Sequence, residues 1–139
     1  MVYSEVLYIR GHENISGLHN STIEFTKEPY CTPRGTCILG VNATKSVAEL
    51  KPETKRLLRK GAKVRIVISC KGITDVVTGF GDTRLLLENK VSMVIRKSRY
   101  IDNRTLIVGA DKSASQIDRR LVRALRDRDT QGTVRIELL

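Results

Sequence analysis

The chain returns on itself. The stretch Gly40-Val-Asn-Ala-Thr-Lys-Ser-Val-Ala-Glu-Leu50 comes back as Val108-Gly-Ala-Asp-Lys-Ser-Ala-Ser-Gln-Ile117. An internal repeat restricts the folds open to a chain more than any local signal does. Residues 5 to 30 align with residues 70 positions further on: Val6 with Val76, Gly11 with Gly81, Lys27 with Lys97, Tyr30 with Tyr100. The offset is 67 across the repeated stretch, where Ala43 meets Ala110, Lys45 meets Lys112 and Ser46 meets Ser113. It is 70 again at Val64-Arg65-Ile66 and Val134-Arg135-Ile136. Two halves of about 70 residues are too few for a solenoid, and each is too small to bury a core alone. The expectation is one domain over residues 1–139, with repeats 1–70 and 71–139 sharing one core about a pseudo-twofold axis.

Hydrophobic periodicity fills in the elements. Residues 2 to 10, 21 to 27 and 36 to 41 read as strands, the second by its alternation of apolar and polar side chains. A short helix follows from Thr44 to Leu50, then another turn with Pro52 at its first position and Gly61 closing it. Residues 64–69 and 73–78 form a hairpin about Lys71-Gly72. Residues 91–97 and 104–109 repeat the middle strands. A second helix is expected from Lys112 to Arg126, capped by Asp111, with Ala114, Ile117, Leu121, Ala124 and Leu125 on its apolar side. Residues 133–138 form the last strand. Each half is thus β-β-β-α-β, an α+β, mainly β arrangement. Symmetry demands that strand 2–10 pair with strand 133–138, which removes two exposed edges. A small closed or nearly closed β-barrel with two helices follows as the expected shape, and it resembles the cradle-loop barrels.

With 40% hydrophobic residues and no Trp, aliphatic side chains must pack that core. No apolar run reaches the ~18 residues of a membrane span, and the N-terminus lacks the regions of a signal peptide. A cytoplasmic protein without a membrane partner is expected. Three cysteines, Cys31, Cys37 and Cys70, give an odd count without C-x-x-C spacing, which argues against a disulfide framework. His12, His19 and Cys31 do not make a metal site by spacing, and no cofactor fingerprint is present.

The net charge of +10, from 25 Lys and Arg against 15 Asp and Glu, favours a polyanionic partner such as RNA. Three groups of residues are candidates. The segment Arg96-Lys-Ser-Arg-Tyr-Ile-Asp-Asn-Arg104 sets four cations around Tyr100 and offers phosphate contacts and a stacking ring; the corresponding loop carries Lys27, Tyr30 and Arg34. The helix after Asp111 puts Arg119, Arg123 and Arg126 on one side, and the guanidinium fork suits phosphates. The two helix starts, Lys45-Ser46 and Lys112-Ser113, suit a small anion, since free N–H groups and the helix dipole point there. The nucleic-acid contacts expected are Arg34, Lys97, Arg99, Tyr100, Arg104, Arg119, Arg123 and Arg126. A pairing of His12 with Asp82 near the axis is the one catalytic arrangement the repeat suggests, and no nucleophile motif supports it. The sequence therefore points to binding of nucleic acid, RNA favoured, more than to catalysis. A binder or enzyme for a small anion at the two helix starts, and a structural assembly protein, are the other readings.

Several segments together, Thr32-Pro-Arg-Gly35, Ser92-Met-Val-Ile-Arg-Lys-Ser98, Arg104-Thr-Leu106, Ala110-Asp-Lys112 and Asp118-Arg-Arg-Leu121, resemble those of an archaeal family known as domain of unknown function three hundred and seventy-one. The resemblance runs nearly end to end. It implies an archaeal cytosolic protein and brings no activity, cofactor or catalytic residue.

Overall fold

The computed structural model describes residues 2–139. In chain order it contains β1 (Tyr3–Arg10), β2 (Thr22–Thr26), β3 (Ile38–Gly40), α1 (Pro52–Arg59), β4 (Lys63–Cys70), β5 (Ile73–Phe80), β6 (Ser92–Arg96), β7 (Thr105–Ile107), α2 (Arg119–Ala124) and β8 (Gln131–Leu138). A 3-10 turn precedes each helix, at Val47–Glu49 and Ala114–Gln116. The same order of elements stands on either side of the Lys71-Gly72 turn.

The strands form two four-stranded sheets. The first runs β1-β8-β4-β5 and is antiparallel throughout. As expected from the sequence, the first strand pairs with the last, from Tyr3 opposite Leu138 to Arg10 opposite Gln131. The second sheet runs β3-β2-β6-β7, with an antiparallel centre and a parallel strand on each flank. The expected closed barrel does not form. Among the described residues, the sheets touch edge to edge only at the isolated bridges Arg10–Val41 and Phe80–Val108. The reason is local. Asn42 and Gly109, the residues after the two bridging valines, have φ of 49° and 60°. This left-handed turn carries the chain out of the strand, so neither bridge grows into a ladder.

Alternation along β1, β4 and β8 sends Leu7, Ile9, Ile66, Ile68, Val134 and Ile136 to one face, all fully buried. They join Phe25 and Met93 from the second sheet and Leu58 and Leu121 from the helices in one core built by both halves.

The helical segments differ from the expectation in two ways. The helix over 112–126 is broken: Ile117 is extended (ψ 143°), and α2 starts afresh with Asp118 accepting from the Arg120 N–H at 2.9 Å. The caps also move. Ser46 and Ser113, each in a capping box with Glu49 or Gln116, open the 3-10 turns. Thr44 and Asp111 instead serve the sheet edge. Tyr8 N–H donates to Thr44 Oγ1 (3.0 Å) and Thr78 N–H to Asp111 Oδ1 (2.9 Å), while the backbone N–H groups of Thr44 and Asp111 return to the carbonyls of Tyr8 and Thr78. A single residue thus substitutes for the missing neighbour strand on each edge. Pro52 and Gly61, with φ +81° after the Lys60 C-cap, bound α1 as expected.

A strand carboxylate fixes each helix start, buried at Glu5 and partly buried at Asp75. Glu5 of β1 accepts from Lys45 Nζ (2.7 Å), Lys51 N–H (3.0 Å) and Thr54 Oγ1 (2.6 Å). Asp75 of β5, 70 positions on, accepts from Lys112 Nζ, Asp118 N–H (2.9 Å) and Val76 N–H (2.7 Å). Burial pushes both acids upward, but the hydrogen bonds and the lysine charges outweigh it and hold both below the ordinary carboxylate range. At the other end, each helix receives a glycine turn from the opposite half. A Cβ on Gly11 would lie 2.1 Å from the Asp127 carbonyl oxygen, and one on Gly81 would lie 2.0 Å from that of Leu58.

Removing a partner from a buried ion pair costs about 3–5 kcal/mol, so Glu5→Gln is expected to lose about 3 kcal/mol at pH 7, read from urea unfolding. Because the folded acids have lowered pKa values, their contribution is complete above the ordinary carboxylate range and disappears as the pH falls through the depressed values. The gap between the native protein and Glu5→Gln should therefore narrow from pH 5 towards pH 2. Gly11→Ala and Gly81→Ala force a backbone shift and should each cost about 2–3 kcal/mol. At Gly61, where a Cβ meets nothing within 4 Å, alanine should cost only about 1 kcal/mol, from the left-handed backbone.

Candidate nucleic-acid interface

The second sheet has one apolar face and one polar face. Ile23, Phe25, Met93 and Ile95 enter the core; Thr22, Glu24, Ser92, Val94 and Arg96 alternate with them on the other side. Parallel neighbours cannot be joined by a tight turn, so the chain must cross over between β2 and β3 and between β6 and β7. The second crossover, residues 97–104, packs on the polar face. Arg96, only 8% exposed, donates from Nε to Thr105 Oγ1 (2.8 Å) and from a terminal nitrogen to Asp102 Oδ2 (3.0 Å). Its guanidinium carbon lies 4.9 Å from the centroid of the Tyr100 ring, a cation–π contact. Burial works against the charge of Asp102, yet the Arg104 N–H and the Arg96 and Arg104 guanidinium groups lower its pKa.

The ends of both crossovers meet at one carboxylate. The Cys37 carbonyl accepts from Glu24 N–H (2.8 Å), and the Arg104 carbonyl from Val94 N–H (2.9 Å). Glu24 and Val94 face each other across the ladder, so a single acid stands there. Its oxygens accept from Ser92 Oγ (3.0 Å) and Cys37 Sγ (3.6 Å), with Arg104 at 3.8 Å. Burial, then the Glu24 charge, push the Cys37 thiol up to about 11. At neutral pH it is a protonated donor and a poor nucleophile.

The segment 96–104 therefore gathers several of the expected residues. Tyr100 is 62% exposed. Arg99 is exposed and makes no hydrogen bond or ion pair among the described residues. Lys97 is exposed and donates to Gln116 Oε1 (2.9 Å). Arg104 is half-buried against Asp102 (3.2 Å). Arg34 is exposed in the other crossover, and no hydrogen bond or ion pair among the described residues joins it to this group.

The arginines of the second helical segment divide. Arg119 is turned to backbone, donating to the carbonyls of Ile117, Gly17 and Ala114. Arg123 is exposed. Arg126 lies beyond the end of α2 and donates to the Glu13 carbonyl (3.1 Å). At the two helix starts, Lys45 and Lys112 bear Glu5 and Asp75, as described above. Ser46 and Ser113 are buried, their hydroxyls on Glu49 and Gln116. The anion at these starts is the chain's own.

His12 and Asp82 do not meet. His12 N–H donates to the Leu125 carbonyl beyond α2, and its Nδ1 accepts from Asn14 N–H (3.1 Å). Asp82 follows Gly81, which docks beyond α1, and binds Arg84. Among the described residues no three of His, Cys, Asp and Glu converge as metal ligands, and no pocket is enclosed.

Glu5, Asp75 and Glu24 were not singled out from sequence, and Arg96 and Asp102 were read as members of the basic segment but not as a pair. For the first two a signal existed: an acid and a lysine each recur at matching positions of the two halves, Glu5 with Asp75 and Lys45 with Lys112, though only the fold brings acid and lysine together.

Residues 7–139 match the family model described as Domain of unknown function (DUF371). The chain is also similar to "Uncharacterized protein MJ0206" of Methanocaldococcus jannaschii, 43% identical over 122 residues that cover 88% of this chain and 90% of that protein. Among the described residues no helix is long and apolar enough to cross a membrane. A family model that spans nearly the whole chain and a relative matched across most of its own length agree with the resemblance read from the motifs: the chain belongs to the DUF371 family.

Proposed function

We propose that this chain binds nucleic acid, RNA in preference, with residues 96–104 as its principal contact surface. The observation that carries the reading is Tyr100, an exposed aromatic ring set against the Arg96 guanidinium in the same segment as the exposed cations Lys97 and Arg99. A base stacked on such a ring contributes about 1–3 kcal/mol, and neighbouring cations take the phosphates. Unpaired bases are what RNA offers in loops and ends, which favours RNA. Arg34, Arg123 and Arg126 add exposed cations elsewhere on the chain, while Arg104 pairs with Asp102 and Arg119 is turned to backbone carbonyls. The two halves, 1–70 and 71–139, are read as copies of one unit within one domain; the matched pairs Glu5–Lys45 and Asp75–Lys112 support that reading. A small anion at the helix starts would have to displace those carboxylates from the same lysines, which makes it the weaker reading.

Fluorescence anisotropy with a labelled RNA pool tests the proposal. Four phosphate contacts predict an affinity about 50-fold weaker at 200 mM salt than at 50 mM. Arg99→Glu should weaken binding at least tenfold at the lower salt and flatten the salt dependence. Absence of binding at 50 mM salt, or full binding by Arg99→Glu, would overturn it.

A further inference from the structure

Tyr100 has a counterpart. Tyr30, 70 positions earlier, leaves the end of β2 as Tyr100 leaves the end of β6, and it is 56% exposed. Large aromatic rings this open are rarely needed for packing, and two at matching places call for a common cause. Because β2 and β6 are antiparallel, with Thr26 opposite Ser92 and Thr22 opposite Arg96, the two tyrosines leave opposite ends of a ladder about 14 Å long at ~3.4 Å per residue.

Resting on the nucleic-acid reading above, we propose that the ligand is a single strand held at two points, with one base stacked on Tyr100 and another on Tyr30. A duplex cannot serve both rings, because its bases are stacked on one another and expose only their edges. A single strand of roughly four to eight nucleotides, a site size common for one binding fold, spans the distance.

The two points differ in strength. Under Tyr100 lies Arg96; the position 70 residues before Arg96 is Thr26, a buried neutral residue whose hydroxyl accepts from Glu28 N–H (3.1 Å). Beside Tyr100 stands the unpaired Arg99, and 70 positions before it is Pro29. The Tyr100 end carries the charge and anchors the strand, and the Tyr30 end adds length-dependent affinity.

The test uses the full chain, which has no Trp and four Tyr, so stacking is also read from tyrosine fluorescence. A labelled eight-nucleotide single-stranded RNA, a three-nucleotide RNA and a blunt RNA duplex are titrated at 100 mM salt. The single strand should bind at least tenfold tighter than the duplex and quench tyrosine emission. Tyr100→Ala should weaken binding of the eight-nucleotide strand about tenfold. Tyr30→Ala should weaken it about fivefold, yet leave the three-nucleotide RNA unchanged. Tyr100→Phe and Tyr30→Phe should bind as the native chain does. Both rings are exposed, so circular dichroism should show the native fold in every variant. Equal, salt-sensitive binding of duplex and single strand, indifferent to Tyr30→Ala, would sink the two-point strand and leave the nucleic-acid reading standing. Binding lost in Arg99→Glu but kept in both tyrosine-to-alanine variants would do the same. No binding of any RNA would overturn both.

Discussion

Two strand carboxylates, the buried Glu5 and the partly buried Asp75, hold the architecture together. Helices of eight and six residues are too short to persist by themselves, because nucleation outweighs the few backbone bonds they form. Each is kept by what grips its ends. At the start, one acid from a strand gathers a lysine ammonium and the free backbone N–H beside the helix start. The charge would be costly to bury alone, and three donors apiece make it tolerable. At the far end the grip comes from the other half: His12 N–H on the Leu125 carbonyl, and Gly81 N–H on that of Ala62. Each helix is therefore tied to its own half at the front and to its neighbour at the back. Neither half can settle without the other, which agrees with one core drawn from both.

That interlock decides what the second sheet can present. With its apolar face committed to the core, the opposite face must carry the polar residues, and the crossovers forced by the parallel flanks must pack there. Arg96 could not be buried at 8% exposure without its acceptors. Asp102 and Thr105 supply them from the very segment that follows. The pairing ties residues 97–104 to the sheet within the chain itself, as the proposed stacking on Tyr100 requires. A ring displayed by an ordered segment loses little freedom on binding, and so more of its stacking energy appears as affinity.

Much of this frame was legible as pattern. Alternation located the strands, Pro52 and Gly61 bounded α1, and symmetry paired β1 with β8. The break before α2 was hidden because Ala114, Ile117, Leu121 and Ala124 keep helical spacing through it, and no proline marks it. Transferring Pro52 across the repeat lands on Arg119, the first residue of α2, so the first half held the information. Thr44 and Asp111 are residue types that cap helices, and nothing local distinguishes a helix start from a strand edge as their target. The barrel failed on Asn42 and Gly109, whose left-handed backbone has no periodic signature. The basic segment was visible as composition, but the disposition of its charges was not. Arg119 is held by Gly17 and Arg104 faces Glu24, partners far apart in sequence that only the fold brings together.

The differences between the halves then carry more information than the likenesses. Positions that share a backbone setting report what that setting requires. Glycine recurs at 11 and 81 because a carbonyl oxygen lies where a Cβ would be, and an acid recurs at 5 and 75 because a lysine awaits it. Where the setting is the same and the residue is not, folding did not dictate the choice. Thr26 gives way to Arg96, Pro29 to Arg99 and Cys37 to Arg104. All three changes add a cation, and all three fall in or beside one crossover. The first half holds a neutral residue at each of these places; in the second, Arg96 and Arg104 are engaged by Thr105, Asp102 and Glu24, while Arg99 is exposed. Arg99 is thus the one of the three whose charge no hydrogen bond or ion pair among the described residues takes up, and that supports the proposal of an interface at residues 96–104.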